Sequence, residues 1–437
     1  MASKSTENQV QFLSIRGFAY GLQHLLALFG SIVVTSSTCG LSMPVCLFTG
    51  GLGTLVFHLC TKGKVPVFTG ASTAFVASIA AAVMVTDAAG NTVRDVSKIP
   101  YVGGAIVLVG VLYALFALLA YFIGVERIKR WFPPIVVGPI IVIIGTKLAG
   151  KACTQASQNW IVAIVTLAVV LLVNCFGKGF HKSIPFLYGI VAGYVTSLIM
   201  DLCTGSNLVN FEALSAAPWI QPFWDFTSGE FFTLPKFDLN IILLITPVAF
   251  VTAMEHIGDI TTNSAVVGQD FLKDPGLHRT LLGDGMSTLV AGLLGGNSTT
   301  TFSQNTGLLA ITGIYDPVVL RIAAVLAMIL ALCGKVAGFV ATIPTAVIGG
   351  ISIVLFGSIA SVGIRNMAEN HVDFSQSRNI MIVAITLILG LGMSAGVKIG
   401  NVTISSLFIA VVVSLVLNAI LPSSNAEESA EEAVAQK

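Results

Sequence analysis

The segment TAMEHIGDIT places three ionisable side chains, Glu255, His256 and Asp259, inside an apolar stretch. Glu255 and Asp259 are four residues apart, so a helix there sets both carboxylates on one face. Of 21 acidic residues, only these two and Asp284 fall clearly inside apolar segments rather than at their ends. A carboxylate in such a place is costly unless paired or neutralised, and marks a functional site. It can accept hydrogen bonds and carry a proton. Beside amide and hydroxyl groups it suits a neutral, planar, hydrogen-bonding solute, and it suits an inorganic anion poorly. A second stretch supplies those groups. GGNSTTTFSQNTGLLAITG, Gly295 to Gly313, sets Asn, Ser, Thr and Gln where an apolar helix would otherwise run.

The elements that must position these residues are membrane spans. The chain has 437 residues, 55% hydrophobic and only 10% charged, with a mean hydropathy of +0.91. Soluble domains carry about 25% charged residues. Each span needs about 20 mostly apolar residues. Apolar segments fall near 14–35, 42–60, 65–85, 101–124, 134–150, 158–176, 184–202, 238–259, 279–295, 298–314, 317–341, 343–361, 378–395 and 402–421. These fourteen segments predict an all-α polytopic membrane protein with the bilayer as its solvent. An even number puts both termini on one side. Lys and Arg divide 15 to 7 in favour of that side, so both termini are expected in the cytoplasm and the protein in the cell (inner or plasma) membrane. The short polar N-terminus predicts no cleaved signal peptide. The acidic tail without aromatic residues predicts disorder over 422–437. A net charge of +1 without a long basic tract gives no reason to expect nucleic acid. The seven cysteines are scattered, without CxxC or metal-ligand spacing, so neither a metal nor a bound cofactor is expected.

The chain repeats itself. GLQH in the first segment carries Gln23 and His24, and TAMEH in the eighth carries Glu255 and His256. Ser72, in VFTGASTAFVA, lies 48 residues after His24, and Gln304, in TTTFSQNTGLL, lies 48 after His256. The fifth and twelfth segments match as FPPIVVGPIIVIIG and IPTAVIGGISIVLFG. Seven segments form each repeat, and an odd number inverts one half relative to the other. Paired interrupted segments in an inverted repeat point to a transporter's site at the midplane.

Unwound backbone inside a membrane is tolerated only where protein or a cavity surrounds it. Gly295, Gly296 and Asn297 disfavour helix, and STTTF has strand character. SQNTGLLAIT then starts a half-helix, with Ser303 or Asn305 as its expected cap. The run from Gly70 to Thr73 does the same in the first repeat, after VPVFT. The two extended pieces can pair, and the two half-helix N-termini then aim their positive ends at one place. Blander roles compete. Ser72, Thr73, Ser298, Thr299 and Thr300 could be glue between helices. Glu255, Asp259 and Asp284 could be structural partners, and His24 and His256 satisfied core histidines. Phe302 stands out among the aromatic residues because it sits inside the broken segment.

Gln304, Asn305, Gly307, Thr312 and Gly313 fit the signature of the nucleobase–ascorbate transporter family. GLQH at Gly21–His24, AMEHIGD at Ala253–Asp259, DPGLHR at Asp274–Arg279 and GIR at Gly363–Arg365 resemble its bacterial uracil permeases, and the resemblance runs over roughly 14–420. The resemblance implies fourteen segments in a seven-plus-seven inverted repeat, with segments 3 and 10 broken by short antiparallel strands. It implies a core domain from 14–124 and 238–341, and a gate domain from 125–237 and 342–421. It implies a proton-coupled nucleobase symporter, commonly a homodimer through the gate domain, with no cofactor beyond the co-transported proton. Glu255 would bind the base and Gln304 its other edge, with Ser72, Thr73, Phe302 and Ser303 around it. Asp259, His256, His24 and Asp284 are the candidates for proton coupling, with Asn305 and Gln23 behind the site. Two positions depart from the uracil permeases: Gln304 replaces a Glu, as in the xanthine and uric-acid branch, and Thr73 replaces a ring-packing Phe. Glutamine offers one acceptor and two donors, so it can read an N–H and a C=O on either base. The chain-wide pattern favours uracil, with xanthine or uric acid as the alternative.

Other classes fit less well. A channel needs a continuous polar pore or charge rings, whereas the acids cluster in one repeat. An anion exchanger on this architecture favours a basic site, and Glu255 is acidic. An enzyme needs a nucleophile–base pair or a metal motif, and none appears in the sequence.

Overall fold

The structure is a computed structural model. It describes residues 11–12, 14–86, 92–124, 127, 133–221, 233–393, 396–400 and 402–422. The tail expected to be disordered lies, from 423 onward, outside the described residues, as does most of the polar N-terminus.

In chain order the helices are α1 (Ile15–Cys39), α2 (Met43–Cys60), α3 (Val76–Val83), α4 (Ile99–Ile123), α5 (Pro134–Lys147), α6 (Ala149–Ser157), α7 (Trp160–Phe176), α8 (Pro185–Thr204) and α9 (Glu212–Ala216). They continue with α10 (Leu239–Ile245), α11 (Val248–Val267), α12 (Leu277–Leu293), α13 (Ser303–Thr312), α14 (Val318–Ala331), α15 (Gly334–Ala341), α16 (Thr345–Glu369), α17 (Ser377–Gly392) and α18 (Ser406–Ile420). The strands are short: β1 (Thr69–Ala71), β2 (Met84–Thr86), β3 (Thr92–Arg94), β4 (Thr299–Thr301), β5 (Val397–Ile399) and β6 (Val402–Ile404). The protein is mostly helical, and seven helical stretches among the described residues are long and apolar enough to cross a membrane.

Local chemistry sets the helix ends. Ser14 caps α1 by accepting from the Gly17 N–H, and Gly40 ends it in the left-handed conformation at φ 75°. Pro44 opens α2, and Pro134 opens α5. Small residues then let helices approach. A Cβ at Gly103 of α4 would lie 2.7 Å from the Gly292 carbonyl of α12, and one at Gly110 would lie 2.7 Å from the Gly285 carbonyl. Between α5 and α16, a Cβ at Gly363 would meet the Gly138 carbonyl at 2.5 Å. Such contacts replace the hydrophobic drive that lipid removes.

The packing falls into two sets. One joins α1, α2, α4, α12 and α14, and the other joins α5, α6, α7, α8, α16, α17 and α18. β1 and β4 pair antiparallel inside the first set, with Thr69 opposite Thr301, Gly70 opposite Thr300 and Ala71 opposite Thr299. These are the strands expected in segments 3 and 10. β2–β3 and β5–β6 are local hairpins.

Candidate functional site

The strand pair is the platform. Its ladder continues past the strands at both ends. The Ser72 N–H donates to the Ser298 carbonyl at 2.8 Å, and the Phe302 N–H donates to the Phe68 carbonyl at 2.9 Å. The run of threonines has a further task. The Thr288 hydroxyl of α12 donates to the Thr299 carbonyl at 2.8 Å. Ser287 Oγ lies 2.7 Å from Thr299 Oγ1 and 3.0 Å from Thr69 Oγ1. On the other side the Thr54 hydroxyl of α2 donates to the Thr69 carbonyl at 3.1 Å. All these residues are buried, so each hydroxyl finds its partner within the protein.

Two half-helices, α3 and α13, follow the strands. The caps expected at Ser303 or Asn305 are absent. Phe302 is the N-cap residue of α13 and gives no side-chain bond. The Ser303 hydroxyl donates instead to Asp259 Oδ1 at 2.8 Å, and the Asn305 amide donates to His24 Nδ1 at 3.0 Å. The helix already begins at Ser303, so Ser303 and Asn305 stand inside its first turn rather than at the cap, and their side chains turn to neighbouring elements; the Ser303 bond is charge-assisted. α3 likewise begins only at Val76, with Phe75 as its N-cap, so Ser72 and Thr73 remain in the unwound turn.

Ser72, Thr73, Glu255, Phe302, Ser303 and Gln304 all line one cavity of about 620 Å³. Glu255 projects from α11 and is exposed to that space, and no hydrogen-bond partner holds its carboxylate among the described residues. The far wall comes from the second helix set: Ile141 and Ile144 of α5, Val170 and Asn174 of α7, Phe186 of α8, and Val354, Leu355 and Ser358 of α16. Lys182 and Arg365 also line the cavity, and the exposed Arg365 lies in the last two turns of α16. The chamber is mostly apolar, with polar groups converging from α11, α13 and the turn before α3. That is the usual make-up of a small-molecule site.

The candidates for proton coupling are not among the cavity-lining residues and stand on the helices that carry or flank the strand pair. Asp259 accepts from the Thr301 hydroxyl at 2.7 Å and from Ser303 at 2.8 Å, so it is tied to two cavity-lining residues. His256 points the other way. Its Nδ1 lies 2.7 Å from Asp284 Oδ2, with both side chains fully buried. His256 Nε2 and Asp284 Oδ1 have no partner among the described residues. The buried His24 is tied to Asn305, next to the cavity-lining Gln304, and Gln23 is half-buried with its Oε1 unpartnered among the described residues. Asn263 bridges the Pro66 carbonyl at 3.1 Å and Thr306 Oγ1 at 3.2 Å. Asn297 donates to the Ser72 carbonyl at 3.0 Å.

Residues 17–399 match the model of a permease family, that of the xanthine and uracil permeases. The chain belongs to the xanthine/uracil permease family. This permease is 38% identical over 416 residues to a probable uracil permease of Haemophilus influenzae, covering 93% of this chain and 94% of that one. It is 37% identical over 431 residues to the uracil permease of Bacillus subtilis, covering 94% of each chain. A putative pyrimidine permease of Escherichia coli is 34% identical over 406 residues, covering 92% of this chain and 88% of that one. Among solved structures, the transmembrane domain of a cyanobacterial bicarbonate transporter matches with a TM-score of 0.60 at 13% identity, covering 94% of this chain and 98% of that one. A murine anion transporter in the inward-facing state matches with a TM-score of 0.65 at 11% identity, covering 95% of this chain and 69% of that one. At these identities the likeness is one of fold. The permease is thus a multi-pass membrane protein whose relatives are transporters.

Sequence reasoning missed Thr54, Ser287, Thr288 and Asn263, and read Asn297 only as a residue that disfavours helix. A signal existed for two of them: Asp284, Ser287 and Thr288 stand three and four residues apart, a polar stripe on one face of α12.

Proposed function

We propose that this permease imports uracil by proton symport through alternating access. The observation that carries the reading is the meeting of an unpartnered carboxylate, Glu255, with the Gln304 amide and the Phe302 ring in one chamber. A planar base can stack on the ring, give its N–H to Glu255, and match its remaining amide edge to Gln304. Three relatives named as uracil or pyrimidine permeases support the choice of base. The second reading, a xanthine or uric-acid symporter, rests on Gln304 standing where uracil permeases carry Glu.

For the movement, the core domain is assigned to 14–124 and 238–341 and the gate to 125–237 and 342–421. The two packing sets support this division. A seven-plus-seven inverted repeat of fourteen segments underlies it. His256 follows His24 by 232 residues, and Thr301 follows Thr69 by the same 232. Thr69 and Thr301 are directly paired, so a twofold axis relating the repeats passes through that pair. The core carries the base, the proton passes through Asp259 or one of the histidines, and the core moves against the gate. The cavity extends to Lys182 and Arg365, basic residues on the side to which charge assigns the termini, which supports an inward-facing arrangement with cytoplasmic ends. Assembly as a homodimer through the gate follows from the family resemblance.

The test is counterflow of radiolabelled uracil in proteoliposomes, with xanthine, uric acid, hypoxanthine and thymine as competitors. Uracil exchange blocked by excess unlabelled uracil supports the reading. Exchange blocked only by xanthine or uric acid moves the assignment to the purine branch.

A further inference from the structure

Gly70 sits in β1 at the centre of the strand pair, opposite Thr300. Its φ is not in the left-handed region, so the backbone itself does not call for glycine. A glycine in a strand weakens it and marks a place where something approaches closely. Here that something is a ring. A Cβ built on Gly70 would lie 2.6 Å from Cε2 of Phe302, 3.0 Å from Cδ2 and 3.3 Å from Cζ. The register explains the contact. The Phe302 N–H bonds to the Phe68 carbonyl, so Gly70 is the diagonal neighbour of Phe302 on the same face of the ladder. The ring packs against the one position in β1 without a side chain, and it also lines the chamber that holds Glu255 and Gln304.

We infer that Gly70 is a positioning residue for the base: by lacking a side chain it lets the Phe302 ring recess against the strand, and so sets the stacking plane and the width of the slot facing Glu255. The inference rests on the nucleobase reading above and deepens it. With β1 behind the ring, a methyl group at position 70 can displace the ring only toward the chamber or off its rotamer. Either change moves the stacking surface relative to the two hydrogen-bonding groups. When binding requires the ring in a plane that the new methyl group opposes, holding it about 30° off its relaxed rotamer weakens binding by roughly two- to tenfold. The effect passes through Phe302, so it must vanish when the ring is gone.

A double-mutant cycle tests this on the purified full-length permease, reading uracil binding by calorimetry and fold by size exclusion. Gly70→Ala should raise Kd roughly two- to tenfold. Phe302→Leu should weaken binding by itself, and adding Gly70→Ala to it should change Kd by less than about twofold. Wild-type affinity in Gly70→Ala, or the same penalty with and without the ring, overturns the inference and leaves the nucleobase reading standing. If Gly70→Ala alone does not fold, recovery of a monodisperse protein by adding Phe302→Leu supports the ring contact, and failure to recover overturns it. A wild-type protein that binds neither uracil nor xanthine overturns both.

Discussion

At the scale of the residue, the site divides its carboxylates by what they touch. Glu255 faces the chamber without a partner, whereas Asp259, one turn on, is occupied by two hydroxyls. A ligand N–H can therefore be met by Glu255 without breaking an existing bond. Glu255→Gln should abolish measurable uptake and weaken uracil binding by on the order of 1.5–3 kcal/mol, roughly ten- to 150-fold, read by calorimetry on folded protein. Near-normal binding would remove Glu255 from the site. Asp259→Asn should keep binding and exchange while blocking uphill accumulation, measured as counterflow against gradient-driven uptake. Loss of both activities together would assign Asp259 to the base instead. Gln304→Glu separates the two substrate readings. An ionised Glu only accepts hydrogen bonds, whereas Gln also donates. A site reading xanthine through the amide donor loses roughly five- to 150-fold in xanthine affinity, from about 1–3 kcal/mol for an unmatched buried carbonyl. A site reading uracil keeps uracil. Affinities for both bases before and after the change decide, and no change in either would show that Gln304 does not touch the base.

At the scale of the element, a strand inside a membrane protein needs every backbone group satisfied, and here the hydroxyls of α2 and α12 complete what the two-stranded ladder leaves open. Ser287 is the joint between strands, lying within hydrogen-bond distance of the Thr69 and Thr299 hydroxyls. Ser287→Ala should destabilise the protein by about 0.5–2 kcal/mol. That would appear as a lower thermal midpoint that saturating uracil partly restores. An unchanged midpoint would mean that the strand pair holds without this link. The half-helix α13 shows the same economy. It lacks a side-chain cap because Phe302, which has no acceptor, holds the cap position, while Ser303 and Asn305, inside the first turn, donate to Asp259 and His24.

At the scale of the whole molecule, two helix sets meet at the chamber, one carrying Glu255 and Gln304 and the other a wall that is mostly apolar, with Asn174 and Ser358 among its residues. That division suits a carrier in which a polar site moves along a surface with few hydrogen-bonding groups of its own. If a proton moves with the base, its outside concentration acts as a co-substrate. Initial uptake at fixed uracil should then rise as outside pH falls, and accumulation should collapse with a protonophore while exchange persists. Full accumulation without a proton gradient, but with sodium present, would replace the proton as the coupling ion.

By itself the sequence determined the environment, the apolar segments and the two broken ones, because a lipid solvent leaves so few options: any polar run within a span must be enclosed. It also picked out Glu255, Gln304, Phe302, Ser303, Ser72 and Thr73, since charged, amide and unwound positions are rare enough inside apolar segments to stand out. Only the tertiary structure decided which of them meet and what each hydroxyl does. Local rules made Ser303 a helix cap, yet the helix starts one residue earlier than that, with Phe302 in the cap position, and the Ser303 hydroxyl donates at 2.8 Å to Asp259, 44 residues away in sequence. His24 and Asn305 are 281 residues apart, and Gly70 and Phe302 are likewise distant in sequence. Their contacts exist only because two strands from opposite halves of the chain pair, and register across such a distance is fixed by packing that no local spacing records.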